Sequence, residues 1–514
     1  MSSNPNIIAA IEIGSSKING IVAEVSADGS RIKVLFQDSM PISDSVRHGR
    51  IQNVMEVSHD FSLMLRKLEN APGVAPRRIS GLYLGIGGRS LTSMPAQANA
   101  GFSGTVEISA TTLQNLSHDA SFGLAHDKDI FAMLPRRFTL DGAEVKKVIG
   151  SLCQKIHADY SAVVASPVLK RNLECVKPED GRKLERAYLV APLALADLVL
   201  PDADKQIGVI LADFGDQTVT LSAYKNGALQ WLRTLPFGSK TISNDLMAVL
   251  NVTEEHAREI KHTTASATGP TDRDDTQTAD INDCVSARAS EIVANIENVI
   301  DSCTPETPQR PGEGEKSKML QYPCGIVLAG GGAKLKNFDT LLSQQTRSKV
   351  RLANITDNVS VTGLTADPYM ILDVMALAMA AGKNGSVTCF SEPQTAAPRN
   401  ESDYEQAEEE RYESPRDNYR PHQGGFRRNI DEDDEDLLLD DDDDETPRKR
   451  RKPRADNPKP RKQPKVRERE EVDDDDFDDE EEGPSPSKPG WTDKLKNRFI
   501  KIFTTEPNDD LDEE

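Results

Sequence analysis

Ile7-Ile-Ala-Ala-Ile-Glu-Ile-Gly-Ser-Ser-Lys-Ile-Asn-Gly-Ile-Val-Ala-Glu-Val25 is the stretch that decides the fold. Its apolar runs and small-residue centre predict a strand, a turn and a second strand, at Ile7–Ile13, Gly14–Lys17 and Ile18–Val25. Asp28-Gly29 is typical of a tight hairpin turn, so we expect a third strand at Lys33–Gln37. The stretch therefore predicts a three-stranded antiparallel meander.

The same order of elements recurs later in the chain. Strand, turn, strand, hairpin turn and strand are predicted at Gly208–Asp213, Phe214–Thr218, Val219–Tyr224, Asn226-Gly227 and Ala228–Thr234. The similarity is one of pattern rather than of residues. A meander built twice predicts an α/β protein with two halves of related topology that face each other.

The remaining foldable segments surround these two meanders. After the first meander we expect a helix from about Val54 to Glu69 and a strand at Gly81–Ile86. Residues 87–167 have strand and helix signals of their own and predict an inserted subdomain, with elements at Asp129–Leu134, Glu144–Cys153 and Tyr160–Ala165. Polar, turn-rich residues 264–281 and 304–322 predict surface loops beside a helix at Ile281–Ile300, and a last helix is expected at Asp367–Ala381.

The net charge of −22 belongs mostly to the C-terminal part of the 514-residue chain. From Lys383 onward there are 24 basic and 41 acidic residues, which leaves residues 1–382 with a net charge of only −5. A nearly neutral folded part gives no reason to propose nucleic-acid binding. Residues 384–488, with acidic blocks at 431–445 and 473–482 around a basic block at 448–469, predict a disordered linker.

Cysteine, histidine and hydropathy patterns exclude several other classes. The six cysteines show no C-x-x-C spacing, which argues against a metal cluster or a disulfide scaffold. The eight histidines show no ligand spacing, so we expect exposed polar positions. The N-terminus lacks a basic n-region and no run of about 18 apolar residues occurs, so we expect a cytoplasmic protein that is at most peripheral to a membrane.

A short amphipathic segment follows the linker at residues 489–503, before an acidic tail at 504–514. On a helical period its apolar residues share one face: Trp491, Leu495, Phe499, Ile502 and Phe503. Its basic residues lie on the flanks or the opposite side: Lys494, Lys496, Arg498 and Lys501. Such a segment more often docks onto a partner or a core, but its isolation, aromatic residues and basic flanks favour an anionic membrane surface. One copy would bind weakly, so stable attachment would need many copies.

Three small-residue turns are candidates for nucleotide chemistry. The first contains Gly14, Ser15, Ser16 and Lys17, and its backbone N–H groups and hydroxyls are suited to phosphate oxygens. The second contains Asp213, Gly215, Asp216 and Thr218, whose carboxylates are suited to holding Mg²⁺ through water. The third follows a buried strand and contains Gly330, Gly331, Gly332 and Lys334. Each alone is often an ordinary turn, and it is their combination that predicts a site.

With their spacing, the three turns resemble the phosphate-1, phosphate-2 and adenosine motifs of the actin/Hsp70/hexokinase superfamily. Within it, residues 6–382 and the terminal helix resemble the FtsA family of bacterial cell-division proteins. The stretches that carry this resemblance are Arg47–Asn53, Phe131–Asp141, Gly238–Asp245 and Arg288–Glu291.

The resemblance implies a nucleotide site for ATP and Mg²⁺. It adds Gly238, Lys240, Arg288 and Glu291 to the cofactor-binding residues, and it implies that Glu12 and Asp213 hold the metal through water. Glu12 stands where the family more often has Asp, and Asp216, Gln217 and Ser239 replace glycines. Because these changes affect hydrolysis more than binding, we expect at most a weak ATPase, and no catalytic residue is assigned.

The resemblance also implies a domain plan: an actin-like, two-lobed α/β fold with an insertion of the family's 1C type. Lobe 1 would comprise residues 1–86 and 168–203 with part of 367–382, and the 1C-like insertion residues 87–167. Lobe 2 would comprise 204–366, with a reduced subdomain 2B at about 246–302. The linker, the amphipathic helix and the acidic tail would follow.

A protein of this family would polymerise and bind the C-terminal peptide of FtsZ through subdomain 2B. It would thereby hold the division ring to the cytoplasmic face of the inner membrane at the division site, where other divisome proteins are possible partners. Two alternatives remain: a phosphotransferase of the same superfamily, and a pilus-assembly adaptor of similar fold. The amphipathic helix argues against an adaptor, which has no reason to carry its own anchor.

Overall fold

The computed structural model describes residues 6–42, 44–124, 127–269, 276–305, 318–365 and 367–390. In chain order the strands are β1 (Asn6–Ile13), β2 (Lys17–Val25), β3 (Arg31–Pro41), β4 (Val46–Arg47), β5 (Arg50–Ile51), β6 (Gly81–Ile86), β7 (Thr92–Glu107), β8 (Asp129–Leu140), β9 (Ala143–Val145), β10 (Leu152–Ala165), β11 (Glu185–Val190), β12 (Val209–Phe214), β13 (Val219–Lys225), β14 (Ala228–Leu235), β15 (Ile326–Ala329), β16 (Val350–Leu352) and β17 (Ser360–Thr362). The α-helices are α1 (Val54–Asn70), α2 (Ala110–Ser121), α3 (Pro167–Cys175), α4 (Ala191–Val199), α5 (Asp202–Ile207), α6 (Lys240–Leu250), α7 (Glu254–Thr263), α8 (Thr276–Cys303), α9 (Phe338–Thr346) and α10 (Leu372–Asn384).

Two mixed sheets repeat one topology, as the sequence pattern predicts. The first has the order β11-β6-β1-β2-β3-β17, and the second contains β16-β15-β12-β13-β14. In each sheet, the first strand of an antiparallel meander pairs with a parallel strand, and a second parallel strand pairs with that one. The central strands are buried on both faces, which explains their nearly continuous apolar runs.

Helix α10 covers the first sheet. Residues 374–379 are all fully buried, and the helix packs against β1, β2 and α4. Its small residues let the backbones approach closely, since a Cβ on Gly382 would collide with the side chain of Val25. The alanine- and glycine-rich sequence of α10 is therefore explained by packing.

The second sheet continues into the segment between the two meanders. Its remaining strands follow β14 in the order β7-β10-β8-β9, and with α2 they enclose a separate apolar core. Strand β8 runs on through Pro135 to Leu140, past the predicted end at Leu134. The single element predicted at Glu144–Cys153 is not continuous in the structure. Its residues form the end of β9, a turn and the start of β10.

Two further predictions need correction or fall outside the structure. Helix α8 begins at Thr276, so the last residues of the predicted loop 264–281 are helical. The predicted linker and the amphipathic segment Trp491–Phe503 lie outside the described residues. Among the helices that the structure describes, none is both long enough and apolar enough to cross a membrane.

Candidate functional site

A cavity of about 300 Å³ lies where the β1–β2 hairpin, the β12–β13 hairpin and the loop after β15 meet. This volume is at the lower end of the range for small-molecule sites. The predicted nucleotide-site residues that line it are Glu12, Gly14, Ser15, Ser16, Lys17, Asp213, Gly215, Asp216, Thr218, Gly330, Gly331 and Gly332. Residues far apart in the sequence are thus brought to one cavity, which we call the cleft.

The two hairpin turns in the cleft have matching geometry. Gly14 N donates to Lys17 O at 2.9 Å, and Gly215 N donates to Thr218 O at 2.9 Å. A Cβ on either glycine would lie 3.1 Å from the carbonyl oxygen that closes its own turn. Two equivalent tight turns, one from each half, therefore face the same space, and turns of this kind form concave binding sites for anions.

The three consecutive glycines after β15 differ in what they contact. Gly330 has φ +81°, and a Cβ there would lie 2.5 Å from both Asp213 Oδ1 and Phe214 O. A Cβ on Gly332 would lie 2.8 Å from the Phe214 ring, whereas one on Gly331 would meet nothing within 4 Å. Gly330 and Gly332 are therefore needed for packing on the second turn, and Gly331 presents open backbone.

Three carboxyl groups lie close together around Lys17 on the floor of the cleft. Burial, reinforced by the charges of Asp373 and Asp213, raises the pKa of Glu12 well above its usual value. Burial and Asp373 raise the pKa of Asp213 to about 8, and Lys17 opposes this increase. Lys17 does not fully offset the repulsion among three acids this close, so this part of the cleft is suited to a further bound positive ion.

Helix α7 supplies basic side chains that the motifs do not indicate. Arg258, Lys261 and His262 all line the cleft. Lys261 donates to Ser239 O at 3.1 Å, and burial lowers its pKa to about 8. Burial also lowers the pKa of His262. The available sequence signal was their i, i+3, i+4 spacing, which places all three on one helix face.

The donor set fits a magnesium nucleotide. The two turns and Gly331 supply backbone close to the cavity, and Lys17 and Lys261 supply positive charge for phosphate groups. Asp216 Oδ2 is buried and has no hydrogen-bond partner among the described residues. In the part of the chain that the structure describes, no three His, Cys, Asp or Glu side chains are arranged to hold a metal directly. Glu12 and Asp213 both line the cleft, and their role in holding Mg²⁺ through its water ligands stays a prediction.

Two of the remaining predicted residues line a neighbouring cavity of about 740 Å³, which shares Asp216 and Gln217 with the cleft. A Cβ on Gly238 would lie 2.5 Å from Asp216 O, so this glycine permits close packing on the second turn. Lys240 Nζ lies 2.8 Å from Asp44 Oδ1 and thereby links the two halves. Their contact with a nucleotide stays a prediction.

The other predicted residues form ion pairs away from the lining of the cleft. Arg288 donates to both oxygens of Asp245, at 2.5 and 3.0 Å, and to Glu291 at 2.6 Å. Glu291 Oε1 is buried without a hydrogen-bond partner among the described residues. Lys334 Nζ lies 2.7 Å from Asp367 Oδ2 and 4.9 Å from the centre of the Tyr369 ring. That Arg288, Glu291 and Lys334 bind nucleotide also stays a prediction.

His48 connects the two halves beside the cleft. Its backbone N–H donates to Gln217 Oε1 at 3.0 Å, and its Nδ1 lies 2.9 Å from Gln217 O. The next residue, Gly49, donates to Ser15 Oγ at 3.0 Å. The expectation of an exposed position is wrong for His48, which is half-buried and contacts the second turn.

The two related sheets and the cleft between their hairpins define an actin-like α/β fold. The chain has this fold in common with a solved PilM–PilN type IV pilus biogenesis complex, at a TM-score of 0.51 and 15% identity over 73% of this chain and 98% of the other.

Sequence comparisons confirm the more specific resemblance. The family model for cell division protein FtsA matches residues 210–376. Cell division protein FtsA of Porphyromonas gingivalis is 26% identical over 381 residues, which cover 70% of this chain and 76% of the relative. The FtsA protein of Escherichia coli is 20% identical over 380 residues, or 71% and 87% of the two chains. By homology, the chain is similar to the FtsA family of cell-division proteins.

Proposed function

We propose that this cell-division protein binds ATP with Mg²⁺ in the cleft, polymerises, and tethers the FtsZ ring to the cytoplasmic membrane. The observation that carries the nucleotide part is the pair of matching turns, Gly14–Lys17 and Gly215–Thr218, on one cavity. Both turns are closed by the same type of backbone hydrogen bond, and the backbone at Gly331 is open to the cavity. These features support a polyphosphate ligand.

Each group in the cleft has a distinct role in this proposal. The backbone of the two turns would bind phosphate oxygens, while Lys17 and Lys261 would balance their charge. Glu12 and Asp213 would orient the water ligands of Mg²⁺, and the ion would neutralise phosphate charge. Burial beside other carboxyl groups raises the pKa values of both acids, and a cation would favour their ionised forms.

We expect at most weak hydrolysis of ATP. Hydrolysis needs a water molecule that is placed and polarised at the terminal phosphate. Glu12, one methylene longer than aspartate, extends into the crowded group formed with Asp213 and Asp373. This crowding supports a cleft that binds nucleotide better than it hydrolyses it.

Nucleotide binding is tested with two matched glycine variants. Gly331→Asp places a carboxylate in the cleft, and Gly101→Asp places one on β7; in both cases a Cβ meets nothing within 4 Å. We expect the first variant to weaken the binding of a fluorescent ATP analogue at least about tenfold, a loss of about 1.4 kcal/mol. The second should bind like the parent. Equal affinities for both variants would refute the proposed cleft.

The membrane part rests on the sequence of residues 489–503. Co-sedimentation with vesicles containing anionic lipid should pellet the full chain but not residues 1–488. Phe499→Asp in the apolar face should also abolish pelleting, whereas Thr505→Asp, outside that segment, should not. Pelleting of residues 1–488 to the same extent as the full chain would rule out the tether.

Polymerisation and FtsZ binding are supported by homology to the FtsA family. Binding of the full chain to an FtsZ C-terminal peptide is the direct test, and the same peptide with its sequence scrambled is the control. Phosphoryl transfer to a sugar well above background would instead favour the phosphotransferase. The likeness to a pilus-assembly complex concerns the fold alone.

A further inference from the structure

The second cavity, of about 740 Å³, is rich in positive charge. Four of its lining residues are cationic and two are anionic: Arg47, Arg50, Arg89 and Lys240, with Asp44 and Asp216. Within the described residues, none of the three guanidinium groups forms a hydrogen bond or an ion pair with the protein. The cavity therefore contains arginine side chains whose donors are not used by the fold.

Two of these arginines are directly opposite each other. β4 and β5 form a two-stranded ladder in which Arg47 pairs with Arg50. Like charges at directly opposed positions destabilise a β-ladder. Neither arginine forms an ion pair with a carboxylate of the described residues, although the charge of Arg47 contributes to lowering the pKa of Asp44. An anion from outside the protein would relieve the remaining repulsion between the two arginines.

A contact between glycines brings the third arginine to the same place. A Cβ on Gly49, between the two strands, would lie 2.5 Å from Gly88 Cα. Arg89 N then donates to His48 O at 3.0 Å. This close approach places Arg89 beside the Arg47–Arg50 hairpin, although the residues are distant in sequence.

The other wall of the cavity belongs to the second half of the molecule. The N–H groups of Ser239 and Lys240 at the start of α6 donate to Gly215 O and Asp216 O, at 3.0 and 2.8 Å. Because these backbone donors are occupied, an anion would depend on side chains. Lys240, which pairs with Asp44, is the cation on this side.

We propose that the second cavity binds a small phosphate-type oxyanion, held by Arg47, Arg50 and Arg89 of the first half and by Lys240 of the second. Guanidinium groups bind phosphate oxygens in pairs through parallel N–H donors, a geometry that lysine does not reproduce. The anion relieves the repulsion between opposed arginines and bridges the two halves. Because α6 is hydrogen-bonded to the second turn of the cleft, occupancy of this site changes nucleotide affinity.

The test is a titration of the full chain with inorganic phosphate, followed by calorimetry, without ADP and with saturating ADP. We expect phosphate to bind in both cases. Arg50→Gln and Arg89→Gln should each weaken phosphate binding about tenfold, equivalent to about 1.4 kcal/mol. Arg171→Gln, on the exposed surface of α3, is the matched control and should leave binding unchanged.

The titrations with and without ADP, together with the arginine variants, show whether phosphate binds in the second cavity or in the nucleotide cleft. They also test the second-cavity site separately from the proposed nucleotide site. Loss of phosphate binding in saturating ADP, with no effect of Arg50→Gln or Arg89→Gln, would place the phosphate in the cleft and overturn this inference. Thermal unfolding of each variant shows that it is folded. If the chain binds no nucleotide at all, the titration without ADP still tests this inference, because phosphate binding at the second site does not require nucleotide in the cleft.

Discussion

Replacing Lys261 by methionine should stabilise the nucleotide-free protein and weaken its affinity for ATP. The residue is only 8% exposed, and its ammonium group donates to Ser239 O at 3.1 Å. Burial lowers its pKa from 10.5 to about 8, although the charge of Asp216 acts in the opposite direction. Methionine has a similar length and an apolar stem, but it carries no charge that must be removed from water.

The magnitude follows from the two pKa values. At about 1.4 kcal/mol per pKa unit, the difference between 10.5 and about 8 corresponds to about 3 kcal/mol that the folded parent loses at neutral pH. The lost hydrogen bond to Ser239 offsets about 1 kcal/mol. The variant should therefore gain about 2 kcal/mol in the free energy of unfolding at pH 7.

The sign of the pH dependence follows from proton binding. Because the pKa of Lys261 is lower in the folded state, the unfolded chain binds the extra proton between pH 8 and pH 10.5. The stability of the parent relative to the variant therefore rises with pH in this window. The gain in the free energy of unfolding from methionine should be complete below pH 8 and should disappear by about pH 10.5.

Urea denaturation of the nucleotide-free chain at pH 7 and pH 10, followed by circular dichroism, measures both effects. Lys183→Met, at an exposed loop position, is the control and should change stability by less than about 0.5 kcal/mol at either pH. Competition with a fluorescent ATP analogue gives the affinity. A variant that is less stable than the parent at pH 7, or a difference that is the same at both pH values, would refute the reasoning.

Two further predictions concern packing and ion pairing. Gly330→Ala should lower the free energy of unfolding by about 1–3 kcal/mol, because φ is +81° and the methyl group would collide with the second turn. Gly331→Ala should change it by less than about 1 kcal/mol, and equal melting temperatures for the two variants in thermal unfolding would contradict this account. Asp245→Asn should lower the free energy of unfolding by about 1–3 kcal/mol, since it removes the charge that binds Arg288 through two hydrogen bonds. An unchanged urea midpoint would show that the pair with Glu291 is sufficient.

Local signals in the sequence predicted the central elements well. The strand at Gly81–Ile86 has the predicted bounds, and the helix from Val54 ends one residue past Glu69. Apolar runs and glycine turns act between neighbours in the chain, so they are visible without the fold. Helix α2 gave no comparable signal, because only Leu116 and Ala120 of its twelve residues are buried.

The N-terminal turn of α8 shows where such signals stop. Residues 276–280 are polar and turn-rich in sequence, yet they extend a helix whose later turns are anchored by Ile281, Val285 and Ile292. Helix formation is cooperative, so a well-packed segment extends into a polar neighbour. The predicted loop was too long for this reason.

The sequence by itself determined the two meanders, their glycine turns and the concentration of negative charge after residue 382, because each depends on residues adjacent in the chain. Only the tertiary structure decided that Lys261 enters the cleft, that Lys240 pairs with Asp44, and that Arg47, Arg50 and Arg89 surround one cavity. Burial, pKa and ion pairing depend on distances across the cleft between residues far apart in the sequence, and spacing along the chain does not contain those distances.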